Sequence, residues 1–352
     1  MVEQNVAVPD RVRSHFHAQG DACGRLGSPF TAAMCRTLGD VLGEGAFARA
    51  IANWPGDPAQ DALALRACGA FHGLARAGHP RLAEIYPPAS PSEALFVNTV
   101  REVAIADAEH LLPWLTSAPQ TNEVGRSGIV LGAALQLSAE FGLPMEILEV
   151  GASAGVNLFF DQYGYDLGQG RRWGGNAVDV GIACTWEGSP PSLDHEVTVV
   201  ARAGSDLTPV DARDQEARER MLAYIWPDQA ERQARAAGAL ATVARSDVRV
   251  EAASADDWLS EKLARPQQDG RLRLLFHTIM WQYLPDEVAR RAEAAIAAAG
   301  ARATAGAPFA RFAMEADDTP RSAALTLTVW PGGTVRSLGR GDFHGRSADW
   351  TL

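Results

Sequence analysis

The chain has 352 residues, 47% of them hydrophobic and 21% charged, which is material for two domains and too apolar for a disordered protein. A formal charge of -11 with no block of basic residues counts against nucleic acid as a general partner. Cys23, Cys35, Cys68 and Cys184 form no CxxC pair and no zinc-spaced cluster, so buried thiols and no metal are expected.

Met1 to Asp10 lacks a basic segment followed by an apolar one, the pattern of a secretory leader. The most apolar stretch, Ile129 to Phe160, is broken by Glu140, Glu146 and Glu149, so no membrane partner and a cytoplasmic location are expected.

Residues 1–125 read as an N-terminal helical domain. Leu63, Ala67, Phe71 and Leu74 recur at helical spacing. Asp57-Pro58-Ala59-Gln60 offers a cap, a proline at the first helical position and an amide three residues on, so a helix is predicted to start there, and Ser90-Pro91-Ser92-Glu93 repeats the pattern. Phe96, Val100, Val103 and Leu111 then share one face, suited to packing on a neighbouring domain. No strand is predicted before residue 145.

Over 126–352 short β-branched runs alternate with helical stretches, the signature of a parallel sheet covered by helices. Seven strands are predicted near 147–150, 197–201, 248–251, 272–276, 310–314, 324–330 and 334–338, with Asp179 to Trp186 as a rival for the second. Pro331-Gly332-Gly333 joins the last two into a hairpin. The expected fold is therefore α/β: a Rossmann-like, seven-stranded, methyltransferase-type sheet in an αβα sandwich with a C-terminal antiparallel hairpin.

The first strand runs into Glu149-Val150-Gly151-Ala152-Ser153-Ala154-Gly155-Val156-Asn157. Gly151, Ser153 and Gly155 let the backbone approach a ligand, and free amides at a following helix start would face it. Glu149 and Asn157 flank the turn, and Glu149 suits the cationic methionine part of S-adenosylmethionine. The same letters spell G-x-S-x-G, which would make Ser153 a hydrolase nucleophile with His277 or His344 as base. Such an elbow follows several strands, whereas this turn follows the first, so the cofactor reading is preferred.

Polar residues at neighbouring strand ends complete the candidate site. Asp206 is placed to accept from ribose hydroxyls, and Asp256 or Asp257 from an adenine amino group, although Ser254 and Asp257 also fit a capping box. After the fourth strand, His277 is a candidate general base, Tyr283 a second catalytic group, Trp281 a π-face for a sulfonium, and Gln282 a pocket residue. Gln120, Asn122, Glu123 and Arg126, just ahead of the helix leading into the first strand, are further pocket candidates. Glu123 and Arg126 are also spaced to pair with each other.

Several segments together carry a family likeness: Ala75 to Pro87, Gln120 to Arg126, Glu149 to Leu158, Gly204 to Pro209, Ile225 to Gln229, Phe276 to Pro285 and Phe343 to Arg346. Over nearly its full length the chain resembles the bacterial domain of unknown function 2332. The resemblance implies a methyltransferase-like fold with a helical N-terminal part and carries no established reaction. Where a His-Pro-His-Gly run is expected near the end, this chain reads Gly341-Asp342-Phe343-His344-Gly345. The expectation is an S-adenosylmethionine-dependent methyltransferase acting on a small molecule, or a non-catalytic protein that binds the same nucleoside.

Overall fold

The computed structural model describes residues 8–41, 43–116, 118–120, 122–174 and 180–352. The chain forms two compact units, one of Met1–Thr121 with Gln215–Ala234 and one of Asn122–Asp214 with Arg235–Leu352. The division expected at 125/126 thus falls four residues earlier, and a later segment returns to the first unit.

In the first unit the chain folds as α1 (Asp10–Arg25), α2 (Pro29–Val41), α3 (Gly45–Ala52), α4 (Leu63–Arg76), α5 (Pro80–Ala83), α6 (Glu93–Ala106) and α7 (Ala108–Leu111). Asp57 caps as predicted, its Oδ1 accepting from the Ala59 and Gln60 amides at 2.7 and 3.1 Å. The turn does not propagate, because Ala62 adopts φ +51°, and α4 starts only at Leu63. Ahead of α6 the capping residue is Ser92 rather than Ser90, accepting from the Leu95 amide. Phe96, Val100, Val103 and Leu111 are buried as one stripe, but in this unit's own core beside Phe16, Phe47 and Phe71. All four cysteines are buried and free, and Cys35 Sγ touches Cys68 Sγ at 3.5 Å.

The second unit opens with α8 (Ser127–Phe141), apolar on nearly every side and buried accordingly. Gly132 lets Trp350 reach its backbone: a β-carbon there would lie 2.3 Å from the indole. Next come β1 (Met145–Val150) and a small sheet of β2 (Gly164–Asp166), β3 (Arg172–Trp173) and β4 (Gly181–Ala183). β5 (Thr185–Ser189) and β6 (Val199–Asp206) follow. The chain then supplies α9 (Gln215–Ala223) to the first unit, and α10 (Ala230–Arg245) leads back to the second. The remainder is β7 (Val250–Ala252), α11 (Ala255–Ala264), β8 (Leu272–Thr278), α12 (Asp286–Arg302), β9 (Phe309–Ala316), β10 (Ala323–Trp330), β11 (Thr334–Gly341) and β12 (Ser347–Thr351).

Among the described residues the main sheet has nine strands, in the order β5-β12-β11-β10-β9-β8-β1-β6-β7. Its half from β7 to β9 is parallel, and β9 to β12 form an antiparallel meander. All seven predicted strands are present. The count of seven is corrected by β12, whose Ala348 and Trp350 alternate into the core, and by β5, which pairs parallel with β12. The rival for second strand is also resolved. Asp179 itself lies outside the described residues, and Gly181 to Trp186 divide between the small sheet and the far edge. β6 is the neighbour of β1.

Register assigns the side chains to faces. Glu149 pairs with Phe276 of β8 and Gly204 of β6, and paired residues of parallel strands point the same way. Leu148, Val150, Leu275 and Phe309 pack against α11 and α12 on one face. On the other, Phe276 meets Phe160 edge-on at 6.4 Å, and Ile129 of α8 lies against Gly341.

Candidate functional site

In the main sheet β6 and then β7 lie on one side of β1, and β8 and then β9 on the other. The carboxyl edge between β1 and β8 is thus a topological switch point, where open α/β sheets form their ligand crevice. The predicted glycine turn sits there. Gly151, Ser153 and Gly155 have φ of +72°, +50° and +78°, a left-handed pattern that is ordinary for glycine and costly for serine.

The turn's amides are used within the protein. Those of Gly151 and Ala152 donate to Ser205 O at 2.9 and 3.0 Å, and that of Gly155 to Ala152 O at 2.6 Å. The Ser153 amide donates to Asp206 Oδ2 at 2.9 Å. The expected helix start is a seven-residue 3-10 segment, Val156–Gln162, kinked at Phe159. The anticipated row of free donors is therefore replaced by a turn whose backbone is largely satisfied.

On the α8 face a polar lattice braces this turn. Asn122 Nδ2 donates to Ala152 O at 2.6 Å, Asn157 Nδ2 to Asn122 Oδ1 at 3.0 Å, and the Ser127 hydroxyl to Asn157 Oδ1 at 2.7 Å. Arg126 donates to Phe343 O at 2.8 Å and to Thr278 O, the last residue of β8, at 3.0 Å. Glu123 accepts from the Gly125 amide and lies 3.7 Å from Arg235. Gln120 belongs to the first unit and Thr121 lies outside the described residues.

Glu149 is 1% exposed. Burial drives its carboxyl well above the usual 4.5, nearby Asp206 adds to the shift, and the Asn157 hydrogen bond and Arg126 oppose it. Its Oε2, with the hydroxyls of Ser153 and Ser205, is buried without a hydrogen-bond partner. Native proteins leave few such atoms; Ser205 pairs with Val150 and so faces α11 and α12, which leaves Glu149 Oε2 and the Ser153 hydroxyl as the groups at the turn that ask for an external partner.

His277 follows Phe276, the register partner of Glu149, and so points to the opposite face, under α12. It is 1% exposed. Arg311 Nε donates to His277 Nε2 at 3.0 Å, so the ring proton is on Nδ1, which donates to Glu315 Oε1 at 2.6 Å. Burial lowers its pKa, the Glu315 carboxylate raises it and Arg311 lowers it further. Neither ring nitrogen is left to take a substrate proton, so in this arrangement His277 is a strut rather than a poised base. Trp281 stacks on the imidazole at 4.5 Å with the Arg311 guanidinium 4.3 Å from the indole centroid. A cation thus already occupies the indole offered to a sulfonium.

The remaining candidates are dispersed. Tyr283 is 74% exposed, and Gln282 is exposed beside it. Asp256 is buried at the start of α11 and contacts Arg291 of α12, while Asp257 is exposed. Ser254 holds the capping position of α11 without a side-chain hydrogen bond to the helix. Asp206 is at the turn, but Oδ1 and Oδ2 already accept from the Thr208 and Ser153 amides. Glu315, Arg311, Met280 and Thr278 were not anticipated. The alternation of Arg311, Ala313 and Glu315 on β9 was the available signal, since it puts two charges on one face of a predicted strand.

The chain matches, over residues 13–350, the model of a family described as an uncharacterised protein conserved in bacteria, domain of unknown function 2332. It belongs to that family. No curated protein and no solved structure matches it. Among the described residues no helix is long and apolar enough to cross a membrane, and no group of His, Cys, Asp and Glu is placed to hold a metal ion.

Proposed function

We propose that the carboxyl edge around β1 binds a nucleoside-type ligand bearing a positive charge, S-adenosylmethionine being the best fit, in a methyltransferase-type arrangement of the parallel strands. The observation that carries this reading is the charge and donor pattern of the turn. A dinucleotide places its pyrophosphate on free backbone amides, whereas here the amides of Gly151, Ala152, Ser153 and Gly155 are taken and two acids, Glu149 and Asp206, lie on the same face. That acceptor-rich pattern favours a ligand that presents hydroxyl and amine donors over a phosphate, and a cation bound beside Glu149 would draw its carboxyl back toward the ionised form. Glu149 Oε2 and the Ser153 hydroxyl are the unpartnered groups available to it.

When bound, such a ligand supplies an already activated methyl group. The protein's own part is to hold it beside a small-molecule acceptor and exclude water. No proton transfer is assigned to His277, whose nitrogens are both engaged, or to the exposed Tyr283. That same observation favours, as second reading, a protein that binds the nucleoside without turning it over. The hydrolase reading loses support, because the Ser153 hydroxyl has no hydrogen-bond partner and β1 is the first strand among the described residues.

Calorimetric titration with S-adenosylmethionine, S-adenosylhomocysteine and NAD tests the reading. The two adenosyl ligands are expected to bind, NAD is not, and Glu149→Ala is expected to abolish the heat. Silence with both adenosyl ligands sinks both readings.

A further inference from the structure

The turn after β8 carries a conformation that sequence alone does not explain. Ile279 has φ +52°, a left-handed backbone that a β-branched residue adopts only under constraint. Its amide donates to Met314 O at 2.8 Å. The next amide, that of Met280, donates to Oε1 and Oε2 of Glu315 at 3.2 and 3.1 Å. The Met280 side chain in turn lies over Gly151: a β-carbon added to that glycine would sit 2.8 Å from Met280 Cγ. Two left-handed turns, at the ends of neighbouring strands, meet through one thioether.

Glu315 is itself held. It accepts from His277 Nδ1 at 2.6 Å, and His277 is fixed in that tautomer by Arg311, whose guanidinium is anchored on Glu293 at 2.8 Å. The chain of contacts therefore runs from the α12 surface to the floor of the glycine turn.

We propose that Glu315 is a positioning residue of the glycine-turn site: it holds the Ile279–Met280 turn in its left-handed form and so keeps the Met280 thioether against Gly151, as one wall for the bound ligand. An unbranched, polarisable side chain suits a wall that must adapt to its guest. The part concerning the ligand rests on the binding reading above, and the part concerning the turn does not.

The test compares the full chain with Glu315→Ala, Glu315→Gln and Met280→Ala. In Glu315→Ala the Met280 amide is expected to exchange its hydrogen at least about tenfold faster, as for a lost hydrogen bond to a charged acceptor. The Kd for S-adenosylhomocysteine is expected to rise by a similar factor, on the order of tenfold. Glu315→Gln, which keeps an acceptor oxygen, should restore both to within about threefold, a rescue that loss of bulk packing does not predict. Met280→Ala should weaken the ligand to the same degree with the Glu315 contacts intact. Unchanged Met280 exchange in Glu315→Ala overturns the proposal, as does faster exchange with unaltered affinity. Should Glu315→Ala not fold, absence of any affinity loss in Met280→Ala overturns it instead. If the wild-type chain binds no S-adenosylhomocysteine, the binding reading falls, and the exchange comparison alone decides whether Glu315 sets the turn.

Discussion

The two faces of the sheet bring opposite chemistry to one carboxyl edge. Under α8, Glu149 is pushed toward its protonated form by burial within a lattice of amides and hydroxyls. Under α12, His277 is pushed toward its neutral form, locked between Glu315 and Arg311. Each is an ionisable group pushed toward its uncharged form, yet their pH consequences have opposite sign. A single step of register, Glu149 beside Phe276 and His277 one residue later, decides which face each group serves.

The largest expected effect concerns the lattice. Asn157→Leu removes a buried amide and strands the Ser127 hydroxyl and the Asn122 amide oxygen, for a loss of about 3 kcal/mol in urea unfolding. A loss below about 1 kcal/mol would mean that the lattice does not brace the turn.

The pH limbs come next. An acid with a raised folded pKa leaves the native state holding a proton that the unfolded chain releases, so stability falls as pH rises above 4.5, the ordinary value. Glu149→Gln should remove that decline, giving a gain at neutral pH that vanishes below the ordinary value. For His277 the sign reverses: the unfolded chain gains a proton below 6.5 while the native state resists, so stability is lost as pH falls. His277→Gln should flatten part of this acid limb. It leaves the part due to His72, which burial lowers to about 4. Urea midpoints between pH 4 and 9 measure both, and a Glu149→Gln curve parallel to the wild type would contradict the assignment.

The smallest effect is expected at Tyr283. At 74% exposure, Tyr283→Ala should move the thermal midpoint by the equivalent of no more than about 0.5 kcal/mol. A larger shift would place its ring in a contact that the fold does not have.

Sequence made the architecture legible where patterns were long. The β1 run into its glycine turn, the β10–β11 hairpin and the buried stripe of α4 and α6 all follow from period and turn chemistry. β12 escaped because its signal is only two residues, Ala348 and Trp350, near the chain end. At the carboxyl edge of β1 the turn was legible, and the pairings of its side chains were not. Asp206 and Asn157 were found at the turn, but that they brace its backbone depends on pairings across 53 and 35 residues. His277 read as a base because a histidine after a strand invites it. Its partners Arg311 and Glu315 come from β9, and only strand order makes them neighbours.

The first unit is written in two instalments. Its core includes Trp226, its Ser28 hydroxyl reaches Asp228, and the His72 ring bonds Ala223 O at 3.0 Å. A ribosome delivers α1 to α7 long before those partners emerge, with β1 through β6 translated in between. Completion of the helical body must therefore wait for synthesis of the sheet's first half, and a fragment cut at residue 125 would lack the plug that closes it.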